Sequence, residues 1–180
     1  MQQGYFTIVG VVLAAVLAAA QQATTGPTGQ SGTTARAALV NASGKAVGDA
    51  YFEESANGVL LKVDLREAEP GIHGFHIHET GRCEAPSFTS AGGHFAPQSK
   101  QHGFLSADGP HAGDLPNAHV LVRGAASFEH FLPGMTLSRG EHGLLDADGA
   151  ALVMHQSSDD YETDPGGESG ARIVCGVIMQ

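Results

Sequence analysis

Between residues 59 and 66 the chain alternates: Val59, Leu61, Val63 and Leu65 are apolar, with Leu60, Lys62, Asp64 and Arg66 between them. A period of two is that of a β-strand with one buried face. The hairpin signal Asn57-Gly58 stands directly before it. Similar short runs at 37–41, 46–54, 74–79, 118–123, 125–131, 151–156 and 173–178 predict further strands. Turn signals separate several of them, among them Ser43-Gly44-Lys45, Pro70-Gly71 and Asp146-Ala147-Asp148-Gly149 after Leu144 and Leu145. No long helical period and no internal repeat is present. Seven or eight short strands predict an all-β antiparallel sandwich or barrel. Two stretches break the pattern. Residues 80–117 are rich in Gly, Pro, Ser and His, and residues 157–170 are polar and acidic. Structureless loops of this length in a compact domain are usually functional.

A length of 180 residues predicts a single domain, and 25 Gly with only 16% charged residues suits many turns. The net charge of −10 argues against nucleic acid as a partner, since phosphate binding needs a basic face. No charged side chain occurs in residues 1–20. The apolar run 6–20 is short for a bilayer span and ends in Ala18-Ala19-Ala20, a small-residue cleavage site. Residues 1–20 are expected to be a signal peptide, 21–34 a flexible linker and 35–180 the domain. The protein is then periplasmic or secreted, with no stable membrane insertion once the leader is cut. An uncleaved anchor is the alternative, because no Lys or Arg precedes the run. In an exported chain the two Cys, Cys83 and Cys175, most simply form one disulfide. Without export, two buried thiols are the other reading.

Ten His in this length make metal binding the chemistry to test. His76 and His78 are alternate residues of a predicted strand, so both imidazoles leave one face, and His73 falls on the other. The first long loop holds His94, His102, His111 and Asp114, a complete donor set for tetrahedral zinc. His155 lies on a later strand, with Asp159 and Asp160 shortly after it.

Four segments together resemble the copper–zinc superoxide dismutases. Gly74-Phe75-His76-Ile77-His78-Glu79 is similar to their copper-ligand signature, and Gly92-Gly93-His94-Phe95-Ala96-Pro97 to the segment with their metal-bridging histidine. The spacing His94-x7-His102-x8-His111-x2-Asp114 matches their zinc loop, and Gly170-Ala171-Arg172-Ile173-Val174-Cys175-Gly176-Val177-Ile178 resembles their C-terminal signature. Val153-Met154-His155, Asp159-Asp160-Tyr161 and Thr163-Asp164-Pro165 look like the bacterial periplasmic branch. The resemblance runs from about residue 35 to the C-terminus.

It implies a Greek-key, immunoglobulin-like sandwich or barrel with two long functional loops. It implies superoxide as substrate and copper and zinc as cofactors. Copper falls to His76, His78, His94 and His155, and zinc to His94, His102, His111 and Asp114, with His94 shared. Asp159 matches the aspartate linking a copper ligand to a zinc ligand, Arg172 the arginine that guides the anion, and Cys83 with Cys175 the family disulfide. Catalysis falls to Arg172 and His94. Lys100 and Arg82 are further candidates for steering. Ala96 departs from the family's Asn or Asp, which puts a local loop hydrogen bond in doubt. His119, His130 and His142 match no ligand position. The family admits a homodimer, and no dimer face is legible. The competing reading is a non-catalytic copper-binding or copper-delivery protein on the same fold.

Overall fold

The computed structural model describes residues 1, 2, 4, 32–138, 140 and 143–180. Most of the expected leader and of the expected linker, and His142, lie outside the described residues. Among the described residues eight strands follow in chain order: β1 (Thr34–Asn41), β2 (Ala46–Ser55), β3 (Gly58–Leu65), β4 (Gly71–His78), β5 (Asp114–Val120), β6 (Ala126–Pro133), β7 (Ala151–His155) and β8 (Arg172–Val177). A 3₁₀ turn at Thr89–Ala91 is the only helical element among the described residues.

All neighbours pair antiparallel in the order β5-β4-β7-β8-β1-β2-β3-β6. That order is a Greek key: β4 leaves β3 and pairs with β7 instead. The end strands β5 and β6 are joined by a tight turn, where Leu121 N–H donates to the Ala125 carbonyl at 3.0 Å. The sheet therefore curls into a nearly closed barrel. Phe75 of β4 meets Phe128 of β6 edge-on across the interior, with centroids 5.4 Å apart.

The alternation of β3 is realised as predicted. Val59, Leu61, Val63 and Leu65 are buried in the main core with Leu39, Phe52, Ile77, Leu152 and Met154. The starts of β1, β4 and β5 differ most from the prediction. β1 begins at Thr34 and β4 at Gly71, because each start is already paired, Thr34 with Glu53 and Gly71 with Val120. The strand expected at 118–123 runs instead over 114–120, and 121–125 form the turn. Leu115 pairs with Phe75 and Ala118 with His73, so Pro116 and Asn117 both oppose Gly74. This bulge breaks the period of two and hides the strand's first half.

Candidate metal centre

Phe75 and Ile77 of β4 point into the core, so His76 and His78 leave its opposite face. The neighbours of β4 supply two more groups, His155 at the end of β7 and Asp114 at the start of β5. The ladder sets His76 opposite Asp114. The loop between β4 and β5 returns over this face. There Phe95 N–H donates to the Ile77 carbonyl at 2.8 Å, and His94 forms an isolated bridge with His78.

Two sets of potential ligand atoms lie within 4.8 Å of one another: His76, His78, His94 and His155, and His76, His94, His102 and Asp114. His78 Nδ1 donates to the Gly92 carbonyl at 3.0 Å and His155 Nδ1 to the Gly170 carbonyl at 3.0 Å. A carbonyl only accepts, so each Nδ1 carries the hydrogen and each Nε2 keeps a lone pair. These two Nε2 atoms face each other at 3.4 Å. His76 Nε2 donates to Asp159 Oδ2 at 2.7 Å, which leaves Nδ1 fully buried with no partner. Three unprotonated nitrogens turned toward one space are the donor set of a cation, and all-imidazole ligation suits copper.

In the second set, Nδ1 of His94, His102 and His111 lie 2.9, 3.1 and 3.2 Å from one oxygen, Asp114 Oδ1. Tetrahedral zinc with bonds of about 2.0 Å places neighbouring ligand atoms about 3.3 Å apart. The donor atoms fit that ion. His111 falls outside the mutually close set but reaches it through Asp114, so the expected four residues do come together. Asp114 Oδ2 accepts from the N–H of Gly103 at 2.9 Å and of His111 at 3.0 Å.

Asp159 ties the two sets together. Its Oδ2 takes the His76 Nε2 hydrogen, and its Oδ1 takes that of His102 Nε2 at 3.0 Å. Both rings thereby turn Nδ1 toward the ligand positions. Gly167 lets the second loop close over this carboxylate. It has φ +64, and a Cβ there would sit 1.8 Å from Asp159 Oδ1.

The electrostatics follow from this packing. Burial pushes His94 down to about 4 against the upward pull of Asp114, and pushes His155 down to about 3 with help from neighbouring imidazoles. Burial also lowers His78 well below the ordinary range and His76 less far, Asp159 opposing. These imidazoles are neutral at pH 7, as metal ligands must be. His102 goes the other way: burial would lower it, but Asp114 and Asp159 outweigh burial and raise it to about 9. Burial would raise both carboxyls. Their imidazole and backbone partners outweigh it and hold Asp114 and Asp159 well below the usual range.

A cleft of about 590 Å³ opens onto the centre. His78, His94, His155 and Arg172 line it, with Asp164 and Glu168 of the second loop. Arg172 Nη1 donates to the Phe88 carbonyl at 2.8 Å and Nη2 to the Gly92 carbonyl at 2.6 Å. Gly92 thus serves both His78 and Arg172. The Cys83–Cys175 disulfide is formed, with Cα atoms 5.7 Å apart, and it ties this loop to β8. Lys100 lines a second cleft with Phe104, Phe131, His111 and Asp114, and neither Lys100 nor Arg82 is among the residues lining the cleft with Arg172. The Ala96 carbonyl accepts from Ser99 N–H at 2.9 Å, so the backbone closes that turn.

His119 is exposed on β5 and His130 half-buried on β6, and neither belongs to either set. His73 is buried, its ring nitrogens 2.8 Å from the His155 carbonyl and 3.0 Å from that of Glu69. Three contributors escaped the sequence reading: this link, the Gly92 carbonyl, and Asn117 with Tyr161 beside Asp159.

The family model for copper/zinc superoxide dismutase matches residues 46–178. The chain is 44% identical over 146 residues to the copper–zinc superoxide dismutase 2 of Aquifex aeolicus, covering 80% of this chain and 85% of that protein. It is 44% identical over 138 residues to the copper–zinc superoxide dismutase of Caulobacter vibrioides, covering 75% and 79%. Among solved structures, a double mutant of a superoxide dismutase-like protein from Bacillus subtilis superposes with a TM-score of 0.77 at 45% identity, covering 81% of this chain and 97% of that one.

Proposed function

The chain belongs to the copper/zinc superoxide dismutase family, and on that footing we propose that it is a superoxide dismutase. Two superoxide anions and two protons become one dioxygen and one hydrogen peroxide. One anion gives up an electron, and the other gains it together with both protons. His76, His78, His94 and His155 hold copper, and His94, His102, His111 and Asp114 hold zinc. Copper supplies one-electron cycling between two oxidation states, while zinc is a fixed charge without redox chemistry.

The observation that carries this reading is the pair of unprotonated Nε2 atoms of His78 and His155 facing each other at 3.4 Å beside the unpartnered His76 Nδ1. The chain's own groups do the rest. Arg172, braced by two carbonyls, presents its guanidinium to an anion entering the cleft. That local charge is needed, since the chain carries −10 overall and Asp164 and Glu168 stand at the same mouth. His94 spans both sites, with Nδ1 toward Asp114. Its Nε2 takes up a proton and passes it to the anion being reduced. Asp159 fixes the tautomers of His76 and His102 throughout.

Export belongs to the same proposal, with residues 1–20 as a leader and the protein periplasmic or secreted. The apolar leader and the disulfide support it. A non-catalytic copper-binding role is not favoured, because the four copper-side histidines lie together and three of them, His78, His94 and His155, line one cleft with Arg172. The test loads the chain with copper and zinc and compares wild type with His155→Ala. Dismutation is expected to be lost while zinc stays bound. Undiminished activity in the variant would refute the assignment.

A further inference from the structure

Asp159 joins the two ligand sets, yet it stands in an irregular loop beyond the end of β7. Its backbone is held from β5. The Asp159 N–H donates to Asn117 Oδ1 at 2.8 Å, and Asn117 Nδ2 donates to the Asp159 carbonyl at 2.9 Å. One planar amide clasps both polar groups of that residue's main chain. The Asn117 N–H donates to the Tyr161 hydroxyl oxygen at 2.7 Å, and Tyr161 N–H returns to Asp159 Oδ1 at 2.6 Å.

The bulge on β5 accounts for this aim. Pro116 and Asn117 together oppose Gly74, and a bulge bends its strand and redirects a side chain. Pro116 has no N–H to leave unpaired there. Gly74 gives the loop room, since a Cβ at that position would lie 2.7 Å from Ser169 Cβ and 3.4 Å from Asp159 Cβ. Tyr161 reaches the first loop as well. Its carbonyl accepts from Leu105 N–H at 2.9 Å, and its ring packs on Phe104 with centroids 5.5 Å apart. Phe104 and Leu105 follow His102 by two and three residues, so the same latch touches the zinc-side loop.

We propose that Asn117, aimed by the Pro116–Asn117 bulge and braced by the Tyr161 hydroxyl, is a positioning residue that holds Asp159 against His76 and His102 and so governs zinc retention. This rests on the metal-site reading given above. The test uses the full chain and two readouts besides activity: zinc affinity by chelator competition, and the visible spectrum of cobalt(II) in the zinc position. Outer partners of metal ligands typically change affinity by about 10- to 100-fold. Asn117→Ala is expected to weaken zinc by about 10-fold or more and to alter the cobalt spectrum, with Tyr161→Phe in between. In an Asp159→Asn background, Asn117→Ala is expected to add nothing, because both act through one carboxylate.

Additive losses in that double variant, or unchanged zinc affinity in Asn117→Ala, would overturn the proposal. Should Asn117→Ala fail to fold, Tyr161→Phe alone decides, and an unchanged affinity and spectrum there overturn it. If Asp159→Asn itself leaves zinc untouched, the failure lies in the role given to Asp159. If only Asp159→Asn weakens zinc, that role stands and the latch does not.

Discussion

Removing the Cys83–Cys175 bridge by the double substitution Cys83→Ala and Cys175→Ala tests how the loop under Arg172 is held. The cysteines are 92 residues apart. On the chain-entropy model a closed loop of that length takes about 16 cal/mol/K from the unfolded chain, or about 4.6 kcal/mol at 25 °C. Domain stabilities run from about 5 to 15 kcal/mol, so the bridge is a large fraction of the whole. An unfolding entropy of about 2.1 cal/mol/K per residue over about 150 residues gives about 0.3 kcal/mol per degree. The variant should therefore melt about 15 °C lower in the metal-free state, read by calorimetry. The bridge also has a local effect. Phe88 lies five residues after Cys83 and is fully buried beside Cys175, and its carbonyl holds Arg172 Nη1. Dismutation by the loaded variant should fall even below its melting range. A melting shift under about 4 °C, with unchanged activity, would refute both parts of this reasoning.

Other perturbations have equally definite outcomes. Glu168→Gln removes a carboxylate from the cleft mouth; the rate with superoxide should rise by about 1.5- to 2-fold at low ionic strength and converge on wild type at high salt. Gly167→Ala forces a side chain into a φ of +64 and against Asp159 Oδ1; it should cost about 1–3 kcal/mol and weaken zinc, measured by melting and chelator competition. His130 is lowered by burial, so the unfolded chain protonates first as pH falls. Its share of stability is complete above about pH 6.5 and is lost as pH drops from there toward the folded value. Metal-loaded His130→Gln should show a shallower loss of stability between about pH 7 and pH 5 than wild type, by urea titration.

Much of the barrel was legible where one face is buried and the other wet, as along Val59 to Leu65. It was least legible at the start of β5, where Pro116 and Asn117 share one partner and the alternation fails. The start of β4 was hidden for another reason: His73 is polar by type yet buried, its ring held by the main chain of His155 at the end of β7. The residues that gather at the candidate centre could be picked out from residue type and spacing because zinc and copper select few side chains, and their division between two sites is what the resemblance to the family implies. Their supports could not. Arg172 leans on two backbone carbonyls, which leave no mark on residue identity. Asn117 and Tyr161 matter only because β5 and the second loop meet across 44 residues of chain.

The central claim is met most directly by following superoxide decay in the presence of the wild-type chain, loaded either with copper and zinc or with zinc alone. Catalytic decay with both metals and none with zinc alone is the predicted result. A chain that holds copper and zinc in equal amounts yet leaves the decay at its spontaneous rate would contradict it.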